Sequence, residues 1–338
     1  MAARESRIWT DIDFERDGKQ TGFLRLPHSV HRSAYGWLPI PLVCVKNGTG
    51  PRLLLMAGNH GDEYEGQVAL CKLIRGLEAD AVRGRIIILP MANFPAAAAG
   101  RRTSPIDAGN LNRSFPGDPD GSPTAVIAHY IESVLMPLSD VLVDLHSGGS
   151  SLMYLPTAMM YRGDDPAEAA RNREILEVFG APHGLLFGRE SEDRMSESAA
   201  RRQGLTAVLT ELGGSGTVTP AILALAERAL RRVLAHFGAL ADRDTAPEAT
   251  PTRLMEVAGA DYYCHSPDDG LFEPFVELGD SVAAGQPAGA VHFPETPWRE
   301  PSLATFERDG LVICKRIPGR TQRGDCLFHL ASDLAAPG

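Results

Sequence analysis

His60 and Glu63 stand three residues apart, just after the apolar run Leu53-Leu54-Leu55-Met56-Ala57-Gly58. A nitrogen and a carboxylate oxygen delivered together into a turn make a ligand pair that suits zinc. The run Val141-Leu142-Val143-Asp144-Leu145-His146 ends in the same way. In an extended chain alternate side chains share a face, so Asp144 can orient a metal-ligating His146 imidazole through its second nitrogen. A strand-end histidine capped by Ser147 is the bland alternative, and these residues alone leave both readings open. Ala207-Val208-Leu209-Thr210-Glu211 repeats the format with a carboxylate at its end. Burying that carboxylate unpaired is costly, so Glu211 either reaches solvent at a strand tip or lies near a cation as a general base for hydrolysis. Between the first two runs, residues 101–117 form a loop by their Pro and Gly content, yet carry Arg101, Arg102, Asn110, Asn112 and Arg113. Paired hydrogen bonds from an arginine grip a carboxylate, and a second arginine can polarise a carbonyl. For any one of these arginines alone, a solvated basic loop is the competing explanation.

Strand–helix alternation must position these groups. Residues 21–26 and 40–45 read as strands, and Asn47-Gly48-Thr49-Gly50 reads as a hairpin turn into the strand at 52–56. Helical spacing of apolar residues follows at 64–77, a strand at 86–89 and an amphipathic stretch at 124–138. Next come a strand at 141–145, a helix at 166–179, a strand at 207–212 and a long helix at 220–240 that opens on Pro220. The pattern predicts an α/β fold: a mixed, mostly parallel sheet with helices on both faces. Residues 1–240 make the expected catalytic domain. Residues 241–252 lose all periodicity and read as a linker. Residues 253–338 carry short strands and repeated Gly-Asp turns, as in a biotinyl/lipoyl-like β-sandwich. A swinging-arm carrier needs a lysine in the turn between its halves. The lysine present, Lys315, falls inside the second half, so gating or packing is the expected role.

The chain has 338 residues, 43% of them hydrophobic, and no apolar run of about 18 residues able to span a bilayer. Its N-terminus lacks a signal-peptide core. Five scattered cysteines, never paired as C-x-x-C, argue against a disulfide frame or thiolate metal site and point to a cytoplasmic location. A net charge of −10 argues against nucleic acid as a partner. His28, His31, His129, His183, His236, His265, His292 and His329 lack converging neighbours in the sequence, and each is expected to be structural.

Taken in order, Gly58-Asn59-His60-Gly61-Asp62-Glu63, Asn112-Arg113, Asp144-Leu145-His146 and Glu211 resemble the motifs of the succinylglutamate desuccinylase/aspartoacylase family, within the zinc carboxypeptidase superfamily. The resemblance spans roughly residues 20–330. It implies a zinc hydrolase that removes an acyl group, chiefly acetyl, from an N-acylated amino acid, with N-acetyl-2,4-diaminobutyrate as the substrate. Carboxypeptidase, aspartoacylase or desuccinylase activity is the alternative. One zinc ion would be held by His60, Glu63 and His146, and Glu211 would serve as base and then acid. Asn112 and Arg113 would bind the α-carboxylate. Arg102, or alternatively Arg101, would support the carbonyl oxygen. A C-terminal β domain would narrow the access route, and a homodimer is left open. A cationic substrate side chain would call for a carboxylate nearby, with Glu190, Glu192 and Asp193 as the candidates.

Overall fold

The structure is a computed structural model describing residues 6–163, 165–188, 193–240 and 251–334. Most of the linker expected at 241–252, together with Glu190 and Glu192, lies outside the described residues.

The chain opens with β1 (Gly18–Pro27), β2 (Trp37–Asn47) and β3 (Arg52–Ala57), then α1 (Tyr64–Gly76), β4 (Gly84–Leu89) and α2 (Phe94–Ala99). After the loop at 100–122 come α3 (Pro123–Tyr130), β5 (Val141–Leu145), β6 (Leu152–Tyr154) and β7 (Thr157–Tyr161). Next are α4 (Pro166–Phe179), β8 (His183–Phe187), α5 (Ser196–Arg202), β9 (Thr206–Glu211) and α6 (Pro220–His236). The remainder is all β apart from one short helical turn: β10 (Arg253–Val257), β11 (Tyr263–His265), β12 (Gly270–Pro274), β13 (Ser281–Val282), β14 (Pro287–His292), β15 (Ser302–Thr305), β16 (Gly310–Arg316), β17 (Arg320–Thr321) and β18 (Cys326–Asp333).

One large mixed sheet runs in the order β1-β2-β4-β3-β5-β9-β7-β8-β10-β18-β16-β13. Its centre, β4-β3-β5-β9, is parallel throughout, while β1, β2 and β7 join antiparallel. Strands β3 and β5 are apolar apart from Arg52 and Asp144 because both faces of the sheet are covered. Leu53, Leu55 and Val143 face a core shared with α1, α4 and α6. Leu54, Met56 and Leu142 face the opposite core, shared with α3 and α5. The amphipathic stretch at 124–138 is a single helical path that starts as α3, widens into a π turn at Ile131–Leu135 and tightens at Met136–Leu138.

The hairpin expected at Asn47–Gly50 does not pair β2 with β3. Strand β4 lies between them, antiparallel to β2 and parallel to β3. The crossover through α1 returns the chain as β4, a parallel neighbour of β3. Beyond α6, β10 pairs parallel with β8 and antiparallel with β18, so the large sheet runs on into the C-terminal strands. A second sheet, β15-β14-β12-β17, shares a core with them through Phe272, Phe306, Phe328 and Leu330. Lys315 there pairs with Glu277 at 2.7 Å. Among the described residues no helix is long and apolar enough to cross a membrane.

Candidate active site

The carboxyl ends of three adjacent parallel strands, β3, β5 and β9, meet at one place. Open α/β sheets present ligand sites there. The chain leaves β3 through Gly58, whose φ of 68° suits glycine. At Gly61 a Cβ would come 2.1 Å from the Ala96 backbone, so only a bare backbone lets this loop pass α2. The turn delivers His60 inward and starts α1 at Tyr64, with Glu63 at its N-cap.

His60 Nδ1 lies 2.6 Å from Glu63 Oε1, and His146 Nδ1 lies 2.8 Å from Glu63 Oε2. One ligand atom from each of these residues falls within 4.8 Å of the others, a spread that a single ion bridges. Among the described residues this is the group of His, Cys, Asp and Glu that converges so. The far side of each ring is also held. His146 Nε2 sits 3.1 Å from Asp144 Oδ2, and His60 Nε2 sits 3.2 Å from Asn110 Oδ1. Oxygens behind both imidazoles fix the rings so that the Nδ1 atoms face the common point. Two nitrogens and one carboxylate make a donor set that fits zinc with a position left for substrate.

The electrostatics agree with a cation site. Burial pushes the Glu63 carboxyl up, yet His60 and His146 outweigh it and hold the group below the usual carboxylate range. His60 is lowered by burial. Burial also works against protonated His146, but Asp144 and Glu63 on its two sides raise it well above the ordinary imidazole value. The proton so favoured occupies the place where a metal ion would bind, and metal binding would displace it.

Asp144 is fully buried, and its Oδ2 accepts hydrogen bonds from Asn59 Nδ2 (3.0 Å) and Ser196 Oγ (2.6 Å) besides its contact with His146. The Ser196 amide in turn donates to Asn112 Oδ1 at 2.8 Å. Asn112 is thus buried with its carbonyl oxygen tying the loop to α5, and it is absent from the cavity lining. Asn59, Asn110 and Ser196 were given no role by the sequence. Asn59 and Asn110 stand inside motifs already noted, but Ser196 lies 52 residues from Asp144 with no sequence signal. Asp62 binds the amide and hydroxyl of Ser150 through Oδ2 (2.8 and 2.7 Å), joining the loops after β3 and β5.

A cavity of about 1160 Å³ lies beside the cluster, which it meets through Arg102 and Ser147 in its lining. Arg102, Arg113 and Glu211 line it on the side of the strand ends. Arg102 Nη1 is 3.3 Å from His60 Nδ1 and 3.6 Å from Glu63 Oε1, whereas Arg101 is exposed and turns its carbonyl to the Gly61 amide at 2.9 Å. Arg113 donates from Nη1 to the Asn112 carbonyl at 2.7 Å. Glu211, the last residue of β9, is pushed up to about 8, first by burial and then by Glu63, against the pull of His146 and Arg102. Its Oε2 is buried without a hydrogen-bond partner among the described residues. The opposite wall comes from the C-terminal strands: Glu256, the stretch at 257–260, Tyr263 and His329, with Tyr154 beside them. Glu256 pairs with Arg162. Asp193 is exposed, outside that lining, with its carbonyl accepting from Arg202. His329 was expected to be merely structural. Its position in the wall is readable only once β18 is placed.

Residues 49–237 match the succinylglutamate desuccinylase/aspartoacylase catalytic domain. Over 335 residues, 99% of this chain and 98% of the relative, the sequence is 44% identical to the N-alpha-acetyl-L-2,4-diaminobutyric acid deacetylase of Halomonas elongata. The chain belongs to the succinylglutamate desuccinylase/aspartoacylase family. Solved structures of the family superpose closely on this member. A product-bound ectoine utilization protein EutE from Ruegeria pomeroyi aligns with a TM-score of 0.93 and 40% identity, covering 98% of this chain and 100% of that one. A succinylglutamate desuccinylase/aspartoacylase from Rhodobacter sphaeroides aligns at 0.91 and 40% identity, covering 97% and 100%.

Proposed function

We propose that this family member is a zinc-dependent amidohydrolase that removes the acetyl group from N-alpha-acetyl-2,4-diaminobutyrate. The observation that carries the reading is the convergence of His60 Nδ1 and His146 Nδ1 on the two oxygens of Glu63, at 2.6 and 2.8 Å, beside a cavity lined by Arg102 and Glu211. The choice of substrate is supported by the full-length similarity to the Halomonas elongata deacetylase.

When bound, zinc would lower the pKa of water toward neutrality and draw electron density from the amide oxygen. The chain's own residues do the rest. Glu211 takes a proton from the attacking water at its carboxylate and returns it to the departing amine nitrogen. A carboxyl already pushed toward neutral pH by burial suits both halves of that exchange. Arg102 places a guanidinium where negative charge grows on the carbonyl oxygen. Arg113 holds the substrate α-carboxylate, and Asn112 keeps Arg113 and α5 in register through its buried oxygen. The strands from β10 onward, read as the gating domain, line the far side of the cavity.

The test joins metal analysis to a substrate panel. Zinc at one equivalent per chain and turnover of N-acetyl-diaminobutyrate well above acetylaspartate and succinylglutamate are expected. Chelation should abolish that turnover, and added zinc should restore it. Faster turnover of acetylaspartate or succinylglutamate would reject the substrate assignment.

A further inference from the structure

The cavity is larger than the proposed substrate needs. Its volume of about 1160 Å³ lies above the roughly 300–1,000 Å³ of pockets that take a drug-sized ligand, whereas the side chain of 2,4-diaminobutyrate is a mere aminoethyl group. The surplus space has a defined floor. On β9 and β7, Glu211 stands opposite Thr157 and Leu209 opposite Met159, and Met159 stands opposite Leu185 on β8. Leu209 precedes Glu211 by two residues, so its side chain shares a face of the sheet with the carboxylate. Leu209, Met159 and Leu185 thus form a lateral row that starts beside Glu211 and crosses two strand spacings, about 10 Å. All three line the cavity.

The apolar surface continues away from the base. Strand β7 runs antiparallel to β9, and β8 and β10 run with β7. Phe187, two residues beyond Leu185, and its neighbour Val257 on β10 therefore extend the same face away from Glu211. Leu209 and Leu185 are nearly covered, while Met159, Phe187 and Val257 are half-buried and line the cavity. The charges at that end, Glu256 and Arg162, pair with each other. Arg113 decides which half of a substrate meets this floor. It lines the same cavity and, in the proposed reaction, holds the α-carboxylate. Carboxylate and side chain leave one carbon, so a longer side chain extends over the floor while the acyl carbon stays at the His60–Glu63–His146 cluster to one side.

We propose a second activity, the deacetylation of N-acetyl amino acids with unbranched apolar side chains of the norleucine and methionine type, whose methylenes lie over Met159 between Leu209 and Leu185. The step is the same hydrolysis. A water oxygen bonds to the acetyl carbon, the C–N bond breaks and the amine nitrogen takes the proton, so acetate and the free amino acid leave. This rests on the reading of the site as a metal-dependent deacetylase with Arg113 as its carboxylate clamp, and does not depend on the diaminobutyrate assignment. A floor without polar groups rewards apolar atoms, because the water lying on it is released when they arrive.

N-acetyl-2-aminobutyrate, N-acetylnorvaline and N-acetylnorleucine lengthen the side chain one methylene at a time. Each is assayed beside N-acetyl-2,4-diaminobutyrate on the parent and two variants. Met159→Gln keeps the length and makes the middle of the row polar; Met159→Trp fills the space above it. In the parent kcat/KM should rise about fourfold per methylene, the factor for burying one from water, or about 15-fold across the series, mostly through KM. Met159→Gln should flatten the rise and Met159→Trp should reverse it. Turnover of the diamino substrate should stay within about twofold, which also shows that both variants fold. A parent series that is flat or falls overturns the inference, as does a rise that survives in both variants. If the parent then still cleaves the diamino compound, the proposed function stands and the second activity alone is refuted. A rising series without cleavage of the diamino compound upholds the second activity and refutes the substrate assignment. A parent that cleaves none of these compounds refutes both.

Discussion

Asp144→Asn is the most informative single change, because it alters one charge and almost no volume. Asp144 Oδ2 takes hydrogen bonds from Asn59 and Ser196 and touches His146 Nε2, at 3.0, 2.6 and 3.1 Å. Its Oδ1 is buried with no partner among the described residues. An asparagine oxygen can occupy the Oδ2 position and keep all these contacts, with the new NH₂ in the vacant Oδ1 position. Each contact then drops from charge-assisted to neutral, a loss of about 1 kcal/mol apiece. Relief from burying a charge offsets part of this, so the variant should fold. The specific loss falls on the metal site. Without the carboxylate behind it, His146 is a weaker base and a less firmly oriented ligand. Changes of this type commonly lower metal affinity about 10- to 100-fold, or about 1.4 to 2.8 kcal/mol. Zinc titration against a competing chelator measures it directly, with circular dichroism as the control for folding. Parent-like zinc affinity, within about twofold, in a folded variant would mean that Asp144 does not act through His146.

Other outcomes follow from the same geometry. Glu211→Gln should retain zinc and lower kcat by about 10²- to 10⁴-fold. A neutral side chain suits a site that pushes the carboxyl up to about 8, so its melting temperature should not fall. Arg102→Ala should lower kcat about 10²-fold with little change in KM, as for loss of a donor to developing charge. Arg113→Ala should act mainly on KM; steady-state kinetics that reverse this split would reject the roles given to the two arginines. Asp107 holds the arginine loop to α3 through Thr124 and Gly109 at 2.7 to 3.2 Å. Burial pushes its carboxyl up, but these and neighbouring donors bring the balance below the ordinary value. A depressed folded-state pKa stabilises above the unfolded value of about 3.9 and loses that contribution as pH falls below it. Asp107→Asn should therefore melt below the parent at pH 6, with the gap closing toward pH 3; a gap that does not change with pH would refute this account.

That His60, Glu63, His146 and Glu211 meet was legible because each lies at or just beyond the end of an apolar strand, and parallel strands bring their carboxyl ends together; the roles given to them came from the family resemblance. Asp144 could be placed by alternation alone. Ser196 could not, because nothing local says that the first turn of α5 packs beneath β5. Asn112 was readable as a motif member, but its buried oxygen serves the Ser196 amide and the cavity lining does not include it. The β2–β3 hairpin failed because turn chemistry reports local geometry, whereas a crossover helix decided which strand lies next to β3. His329 illustrates the same limit. Its neighbours Tyr263 and Tyr154 come from strands 66 and 175 residues earlier, assembled only by sheet register.

Strand β10 joins the wall of the cavity to its floor by backbone hydrogen bonds, parallel to β8 on one side and antiparallel to β18 on the other. A barrier stitched into the sheet cannot swing aside as a body without breaking that ladder. Access to the His60–Glu63–His146 cluster is then governed by the side chains that line the cavity rather than by movement of this wall. On the proposed reaction, a free N-acetyl amino acid would then enter more readily than an acetylated polypeptide, whose amide would have to thread in with a bulky chain behind it.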